Sequence, residues 1–383
     1  MTVSEGKIIW QSPSNIALVK YWGKKPVQLP QNPSVSFTLN NAVTTMQWKY
    51  KLKKNPTDNI ELDFTFSDAP ETSEKFKTKI QKFLESVLPD FPFLNRYAIS
   101  IQSSNTFPHS SGIASSASSM SALSLCLCSM ENHLLKTPDH TTEKFMRRAS
   151  HFARLASGSA CRSMFSEMGF WGRDKNVKVS SNNYAIGFGA HIAPIFKTFR
   201  DAILIVSTAE KKVSSRAGHA LLEGNIFAPA RYKQARANMK ILIEALATGD
   251  VKTFGRICED EAMTLHALMM TSSPTFTLLH PNTLHIIEAV KNWRNDSTVP
   301  IYFTIDAGPN VHLLYPEAYE TRVHLFIEKH LKQFCENGLV IYDKVGQGAV
   351  LVSDESIIYS VANCQIIERS DARSSQIIIV IVI

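Results

Sequence analysis

The sequence has no long hydrophobic run. Nowhere among its 383 residues do about 18 apolar residues follow one another, the least a helix needs to cross a bilayer, so no membrane partner is expected. The longest apolar stretch, residues 377–383, predicts a terminal strand. The first ten residues carry Glu5 and Lys7 where a secretory signal would have an apolar core, so none is expected. Paired cysteines are missing too. Cys126, Cys128, Cys161, Cys258, Cys335 and Cys364 lie scattered without a C-x-x-C pair, which predicts reduced thiols in a cytoplasmic protein. No H-E-x-x-H and no paired Cys/His spacing occurs, so a zinc site is not expected. A G-x-x-x-x-G-K-[ST] loop is also lacking, so any phosphate cradle must be of another kind. Repeats and low-complexity tracts are absent, and 44% hydrophobic with 20% charged residues excludes a disordered chain.

What remains is a globular chain too long for one small core, hence two domains or one two-lobed unit. Its net charge of +7 suits nucleic acid, anionic lipid or a pocket for a highly charged small molecule. The basic residues are dispersed, without an aromatic-interleaved stripe, which argues against nucleic acid.

Apolar spacing alternates between helical and extended patterns. Residues 73–88 place Phe76, Ile80, Phe83, Leu84 and Val87 on one face with lysines opposite, predicting a helix before Pro89. Further helices are predicted over 112–130, 142–156, 230–247, 251–270, 284–293 and 322–334. Strands are predicted over 99–102, 177–181, 185–193, 202–206, 301–305, 311–315, 339–342 and 349–352. The order lacks strict βαβ alternation, which argues an α+β fold whose lobes meet near residue 195.

Four segments carry candidate chemistry. Residues 103–121, SSNTFPHSSGIASSASSMS, lead a serine-rich loop into a helix, where backbone N–H groups and the helix dipole favour an anion. The stretch is either a phosphate cradle or a flexible linker. Residues 12–24, SPSNIALVKYWGK, form a strand that either brings Asn15, Lys20 and Lys24 into a site or leaves ordinary exposed lysines. Residues 157–162, SGSACR, make a small-residue turn ending in Arg162, a side chain suited to bidentate capture of carboxylate or phosphate. Residues 304–310, TIDAGPN, put Asp306 at a strand end, as a catalytic carboxylate or as a turn residue.

Together the segments resemble the diphosphomevalonate decarboxylases of the GHMP kinase superfamily. The family's N-I-A-x-x-K-Y-W-G-K stands at 15–24, F-P-x-x-x-G-x-A-S-S at 107–116, S-G-S-A-C-R-S at 157–163 and D-A-G-P-N at 306–310. Weaker matches are Leu29-Pro30 with 34–39, Ser214-Ser215 with Gly218, and 345–348. They occur in the family's order over nearly the whole chain.

The resemblance implies a two-lobed GHMP kinase fold. Residues 1–195 would form a ribosomal protein S5 domain 2-like, ATP-binding lobe, and residues 196–383 a ferredoxin-like lobe. It implies ATP-dependent decarboxylation of (R)-5-diphosphomevalonate to isopentenyl diphosphate in the mevalonate pathway, by a cytoplasmic homodimer using ATP and Mg²⁺. Asp306 would accept the proton of the C3 hydroxyl, and Lys20 would balance the charge. Arg162 and Asn15 would align the C1 carboxylate. Tyr21, Lys24, Ser157, Ser159, Arg162 and Ser215 would bind substrate. Asn105, Ser111, Gly112, Ser115 and Ser116 would cradle ATP, with Mg²⁺ between Ser116 and Asp306.

The sequence departs from the family's pattern at His109, Ser110 and Ser111 (usually Thr-Ala-Ala) and at Ser166-Glu167 (usually Gly-Gly). It also has Pro33 in place of serine and His219 in place of methionine. None of these is Lys20, Arg162 or Asp306, but they leave mono- versus diphosphate preference open. The alternatives are a relative acting on a monophosphate or another 3-hydroxy acid, a kinase without decarboxylation, and a catalytically silent scaffold. Retention of the three charged residues together argues against the kinase, and retention of Asp306 and the serine-rich loop against the silent scaffold.

Overall fold

Two strands of exceptional length, Thr2–Val19 and Ser34–Leu52, form the backbone of the first lobe. The computed structural model describes residues 2–55, 57–107, 115–137, 139–209, 215–359, 366–370 and 377–381. The two strands run antiparallel with Trp10 opposite Met46 and Ile8 opposite Trp48. Alternation sends these four residues to one face, where they join a buried cluster with Ile80, Leu84 and Phe152. Those partners come from helices Ser73–Ser86 and Glu143–Ala156; helix Ser115–Leu135 lies on the same face. Thr142 starts one of these helices by accepting from Phe145 N–H at 3.2 Å, the N-cap expected of threonine.

The seven-stranded sheet runs Val350–Tyr359, Thr2–Val19, Ser34–Leu52, Tyr97–Asn105, Glu61–Phe66, with Met168–Trp171 and Ala185–Gly187 paired off its path. Two register shifts interrupt the pairing of the first strand with Ser34–Leu52, between Pro13 and Asn15 and between Ala17 and Val19. Such bulges re-aim side chains. Here they allow the sequence neighbours Leu18 and Val19 to enter one apolar cluster just before Lys20.

The second lobe is a four-stranded antiparallel sheet ordered Tyr302–Thr304, Val311–Pro316, Phe199–Leu204, Val340–Lys344. Its inner strand is covered on both sides. Ala202 and Leu204 pack with Ile286 and Val290 of helix Pro281–Ser297. Ile203 and Ile205 face the other way, toward Met239 and Phe254 of helices Ala228–Thr248 and Val251–Met270. That second cluster also contains Ile16, Leu18 and Phe37 of the first lobe, so a continuous apolar layer joins the lobes. An edge contact adds to it: the Asp343 carboxylate accepts from the N–H groups of Asn40, Asn41 and Ala42 at 2.8–2.9 Å.

The α+β reading holds, and some elements differ from expectation. The segment predicted as a strand at 177–181 is a turn with only a bridge from Asp174 to Val177. Asp174 accepts from Asn176 N–H at 2.8 Å and its own N–H bonds the Ser180 hydroxyl at 2.9 Å, local bonds that displace a strand ladder. The strand expected over 185–193 stops at Gly187 and gives way to a 3₁₀ turn. The helix expected over 322–334 is α-helical as Glu320–Phe326, then continues as a π turn and a 3₁₀ turn. Strand Val350–Tyr359 returns from the second half of the chain to pair with Thr2–Val19, crossing the division at 195/196. Among the described residues, no helix is long and apolar enough to cross a membrane.

Candidate active site

Lys20, directly after the bulged first strand, sits where the lobes meet. Its ammonium is 2.7 Å from an Asp306 carboxylate oxygen; the lysine side chain is 2% exposed and the aspartate 27%. An ammonium so deeply buried needs a counter-charge, because desolvating it alone is costly. Backbone contacts hold both partners. Lys20 N–H donates to Glu261 at 2.9 Å and its carbonyl accepts from Asn32 at 3.2 Å. The Asp306 carbonyl accepts from His266 Nε2 at 3.0 Å and from Gly308 N–H at 2.7 Å. Glu261 is fully buried and also accepts from Arg231 and, at 2.7 Å, from Asn238. It therefore positions Lys20 without facing the open side of the site.

Arg162 lies beyond this pair, buried in the turn Gly158–Arg162. Its Nε donates to Ser36 at 3.0 Å, Nη1 to Ser34 at 2.8 Å and Nη2 to Asn15 Oδ1 at 3.3 Å. Asn15 in turn donates to Ser163 Oγ at 2.7 Å and to the Ser159 carbonyl at 3.2 Å. All three acceptors of Arg162 are uncharged. Burial pushes the guanidinium below its ordinary pKa, while the Cys161 and Asp306 side chains oppose that shift through space. A rigid, buried cation held by neutral oxygens is well placed to receive an anionic group.

The wall next to Arg162 is aromatic. Tyr21 meets Trp171 edge-on at 4.7 Å and His219 at 4.7 Å, and a Cβ on Gly158 would collide with its ring. The Tyr21 hydroxyl is buried with no hydrogen-bond partner among the described residues, and burial raises its pKa. His219 stacks on Trp22 at 4.5 Å and accepts the Gly23 N–H on Nδ1 at 2.9 Å. Burial, with the Lys24 charge second, pulls His219 down to about 3, so it stays neutral and able to accept.

The serine-rich stretch divides into two roles. Ser115 opens the helix Ser115–Leu135 and Ser116 is half-buried in its first turn. Deeper along the helix, Ser118 meets Thr44 at 2.7 Å, Ser121 accepts from Ser12 at 2.8 Å and Ser124 bonds the Met120 carbonyl at 2.9 Å. Ser118 and Ser121 fasten helix to sheet and Ser124 bonds within the helix; among the described serines of this helix, those of the first turn are left to face a phosphate.

Two family profiles match the chain. The diphosphomevalonate decarboxylase-like N-terminal domain covers residues 12–185 and the mevalonate 5-diphosphate decarboxylase C-terminal domain covers 202–379. The chain belongs to the diphosphomevalonate decarboxylase family. A relative from Candida albicans named diphosphomevalonate decarboxylase is 29% identical over 333 residues, 83% of this chain and 87% of that protein. The solved mevalonate diphosphate decarboxylase from Enterococcus faecalis is 26% identical with a TM-score of 0.74, covering 91% of this chain and 99% of that one. The structure described as MDDEF in complex with MVAPP, AMPPCP and magnesium has the same identity, coverage and TM-score.

Within this family's frame, the expected site residues fall into three groups. Lys20 and Asp306 touch, as do Asn15 and Arg162. Ser157 and Ser159 flank Gly158, beside Tyr21, and are half-buried. Asn105 and Lys24 have bonds outside the charged cluster: Asn105 accepts from Thr44 at 2.6 Å and donates its N–H to Asp68, and Lys24 reaches Gln28 at 3.1 Å. Ser111 and Gly112 lie outside the described residues, as do His109 and Ser110, and the side chains of Ser115 and Ser215 are likewise outside them. Sequence reasoning placed Ser34, Ser36 and Ser163 in matched segments without giving them a role, and missed Glu261. The two-residue spacing of Ser34 and Ser36 on a strand was a usable signal, since it points both hydroxyls to one face. Glu261 left none, being one acidic residue among several on a helix.

The departures at Glu167 and His219 have structural accounts. Glu167 has φ +62°, the region a glycine enters at little cost, and its carboxylate pairs with Lys197 at 3.0 Å. Its N–H donates to the Gly346 carbonyl at 2.8 Å, locking the turn against residues 345–348. His219 supplies the acceptor that Gly23 N–H uses.

Proposed function

We propose that the chain converts (R)-5-diphosphomevalonate, with ATP, to isopentenyl diphosphate, ADP, phosphate and CO₂. The observation that carries the reading is the Lys20–Asp306 pair beside Arg162, a buried cation whose own hydrogen bonds go to neutral oxygens. A tertiary alcohol is a poor leaving group, so its oxygen must first become a phosphate ester. Asp306, paired with Lys20, accepts the C3 hydroxyl proton as the oxygen bonds the γ-phosphorus and the bond to ADP breaks. Lys20 balances the charge that gathers there. The C3–O bond then breaks and phosphate departs. The C1–C2 electron pair becomes the C2=C3 double bond as CO₂ leaves. Arg162, aimed by Ser34, Ser36 and Asn15, keeps the C1 carboxylate aligned for that cleavage.

Tyr21, with its buried unpartnered hydroxyl, binds the diphosphate end together with Lys24, Ser157, Ser159 and Ser215. Asn105, Ser111, Gly112, Ser115 and Ser116 hold the ATP phosphates at the helix entrance. The Ser116 hydroxyl and the partly open Asp306 carboxylate are hard oxygen donors of the kind magnesium prefers. Bound magnesium neutralises phosphate charge there. A cytoplasmic homodimer belongs to the same proposal and rests on the family resemblance; sedimentation should give twice the 42.8 kDa of the chain.

The test is to incubate the protein with ATP, Mg²⁺ and diphosphomevalonate. CO₂ and ADP should appear in equal amounts, and the monophosphate should be used far less well. ADP without CO₂ would leave a kinase and refute the decarboxylase.

A further inference from the structure

Away from this site, two histidines and an aspartate converge within the first lobe. His133 lies in the last turn of helix Ser115–Leu135, His140 in the connection to the next helix, and Asp354 on strand Val350–Tyr359. His133 Nε2 contacts one Asp354 carboxylate oxygen and His140 Nε2 the other, the latter at 2.8 Å. All three side chains are less than one-tenth exposed. The three ligand atoms lie within 4.8 Å of one another. A tetrahedral zinc with bonds of about 2.0–2.1 Å spaces its donors roughly 3.3 Å apart, inside that envelope.

The surroundings are built as well. Tyr50 hydroxyl sits 2.7 Å from His133 Nδ1, and Ser129 Oγ lies 3.3 Å from His140 Nδ1 while accepting the Trp10 indole N–H at 2.9 Å. Tyr50 reaches its histidine across Gly6, where any Cβ would collide with the phenol. Both Nε2 atoms thus point inward and both Nδ1 atoms are oriented from outside, the second-layer arrangement that fixes metal-binding imidazoles. Hydroxyls can donate or accept, so the same shell serves imidazoles that give up their Nε2 protons to Nδ1.

We propose that His133, His140 and Asp354 form a binding site for one divalent transition-metal ion of the zinc class. Two neutral imidazoles and one carboxylate suit zinc or cobalt and do not suit magnesium, which takes oxygen ligands. The ion ties the helix that opens at the ATP cradle to the strand returning from the second half of the chain. Exposed Lys136, Thr137 and Asp139 lie in the connection between His133 and His140. Spacing alone hides such a site, because Asp354 stands 214 residues after His140.

The test uses the full chain, stripped by a chelator, returned to chelator-free buffer and titrated with Co²⁺ without nucleotide. One equivalent should bind with visible d–d bands and no thiolate charge-transfer band, and Zn²⁺ should bleach them. His140→Gln and Asp354→Asn should abolish the bands, and Tyr50→Phe should weaken binding roughly tenfold. Absence of d–d bands from the wild-type protein overturns the proposal whatever the variants do. Bands that survive both substitutions, or that carry thiolate character, overturn it too, by placing the ion elsewhere.

Discussion

Replacing Arg162 by lysine keeps the charge and removes the fork. The guanidinium makes three hydrogen bonds, to Ser36, Ser34 and Asn15 at 3.0, 2.8 and 3.3 Å, from a side chain that is 2% exposed. A lysine ammonium cannot span acceptors on two strands, and recovers one of the three. Hydrogen bonds to charged groups contribute about 1.5–3 kcal/mol each. Regained water and rotated serine hydroxyls offset part of the loss, so stability should fall by about 2–3 kcal/mol. In the proposed role, the substrate carboxylate would exchange a fixed two-point contact for a mobile one-point contact. Losing one charge-assisted bond in the transition state, about 3 kcal/mol, corresponds to roughly 150-fold in kcat/KM. Single-turnover CO₂ release measures the effect, with urea unfolding for stability and nucleotide binding as the control. Nucleotide affinity should stay within about twofold, since the guanidinium donates to Ser36, Ser34 and Asn15 and, among the described residues, to none at the helix entrance. Activity within threefold of wild type would refute the carboxylate-holding role, and equal losses for substrate and nucleotide would refute its locality.

Other outcomes follow from the same geometry. If Asp306 is the general base as proposed, Asp306→Asn should remove turnover by at least about 10³-fold while ATP still binds, because the amide cannot take the proton but still accepts from Lys20; residual turnover near wild type would reassign the base. Asp343→Ala should cost about 3 kcal/mol in urea unfolding with little change in KM, since three backbone N–H groups lose their acceptor at the lobe edge. His219 has a depressed folded pKa of about 3 against an ordinary 6.5, so the unfolded chain binds its proton first. Stability should therefore be fully present above about pH 6.5 and decline steadily toward pH 3. His219→Gln should flatten that slope, and an unchanged slope in the variant would show that other groups produce it.

Much of this protein is legible in its amino-acid sequence. The helices over 73–88, 142–156 and 251–270 follow from apolar spacing and stop signals, because a surface helix must bury one stripe whatever lies opposite. The lysine, the arginine and the Asp306 carboxylate stood in recognisable local surroundings, since loops that approach a charged ligand need small residues and the groups that bind it. Local pattern failed where long-range contact chose the answer. Val177 has strand composition, yet Asp174, Asn176 and Ser180 satisfy the backbone locally and no ladder forms. Ser116 and Ser118 are indistinguishable in sequence, but one is half-buried in the helix's first turn and the other is pinned to Thr44.

Composition and periodicity thus set the element types and the α+β class, because those depend on neighbours within a few residues. The pairing of Lys20 with Asp306, the clamp of Ser34, Ser36 and Asn15 around Arg162, and the meeting of His133, His140 and Asp354 came with the fold. Each joins residues more than a hundred positions apart. Such contacts form only when burial of shared apolar surface brings distant segments together, and no local spacing encodes which buried charge will meet which partner.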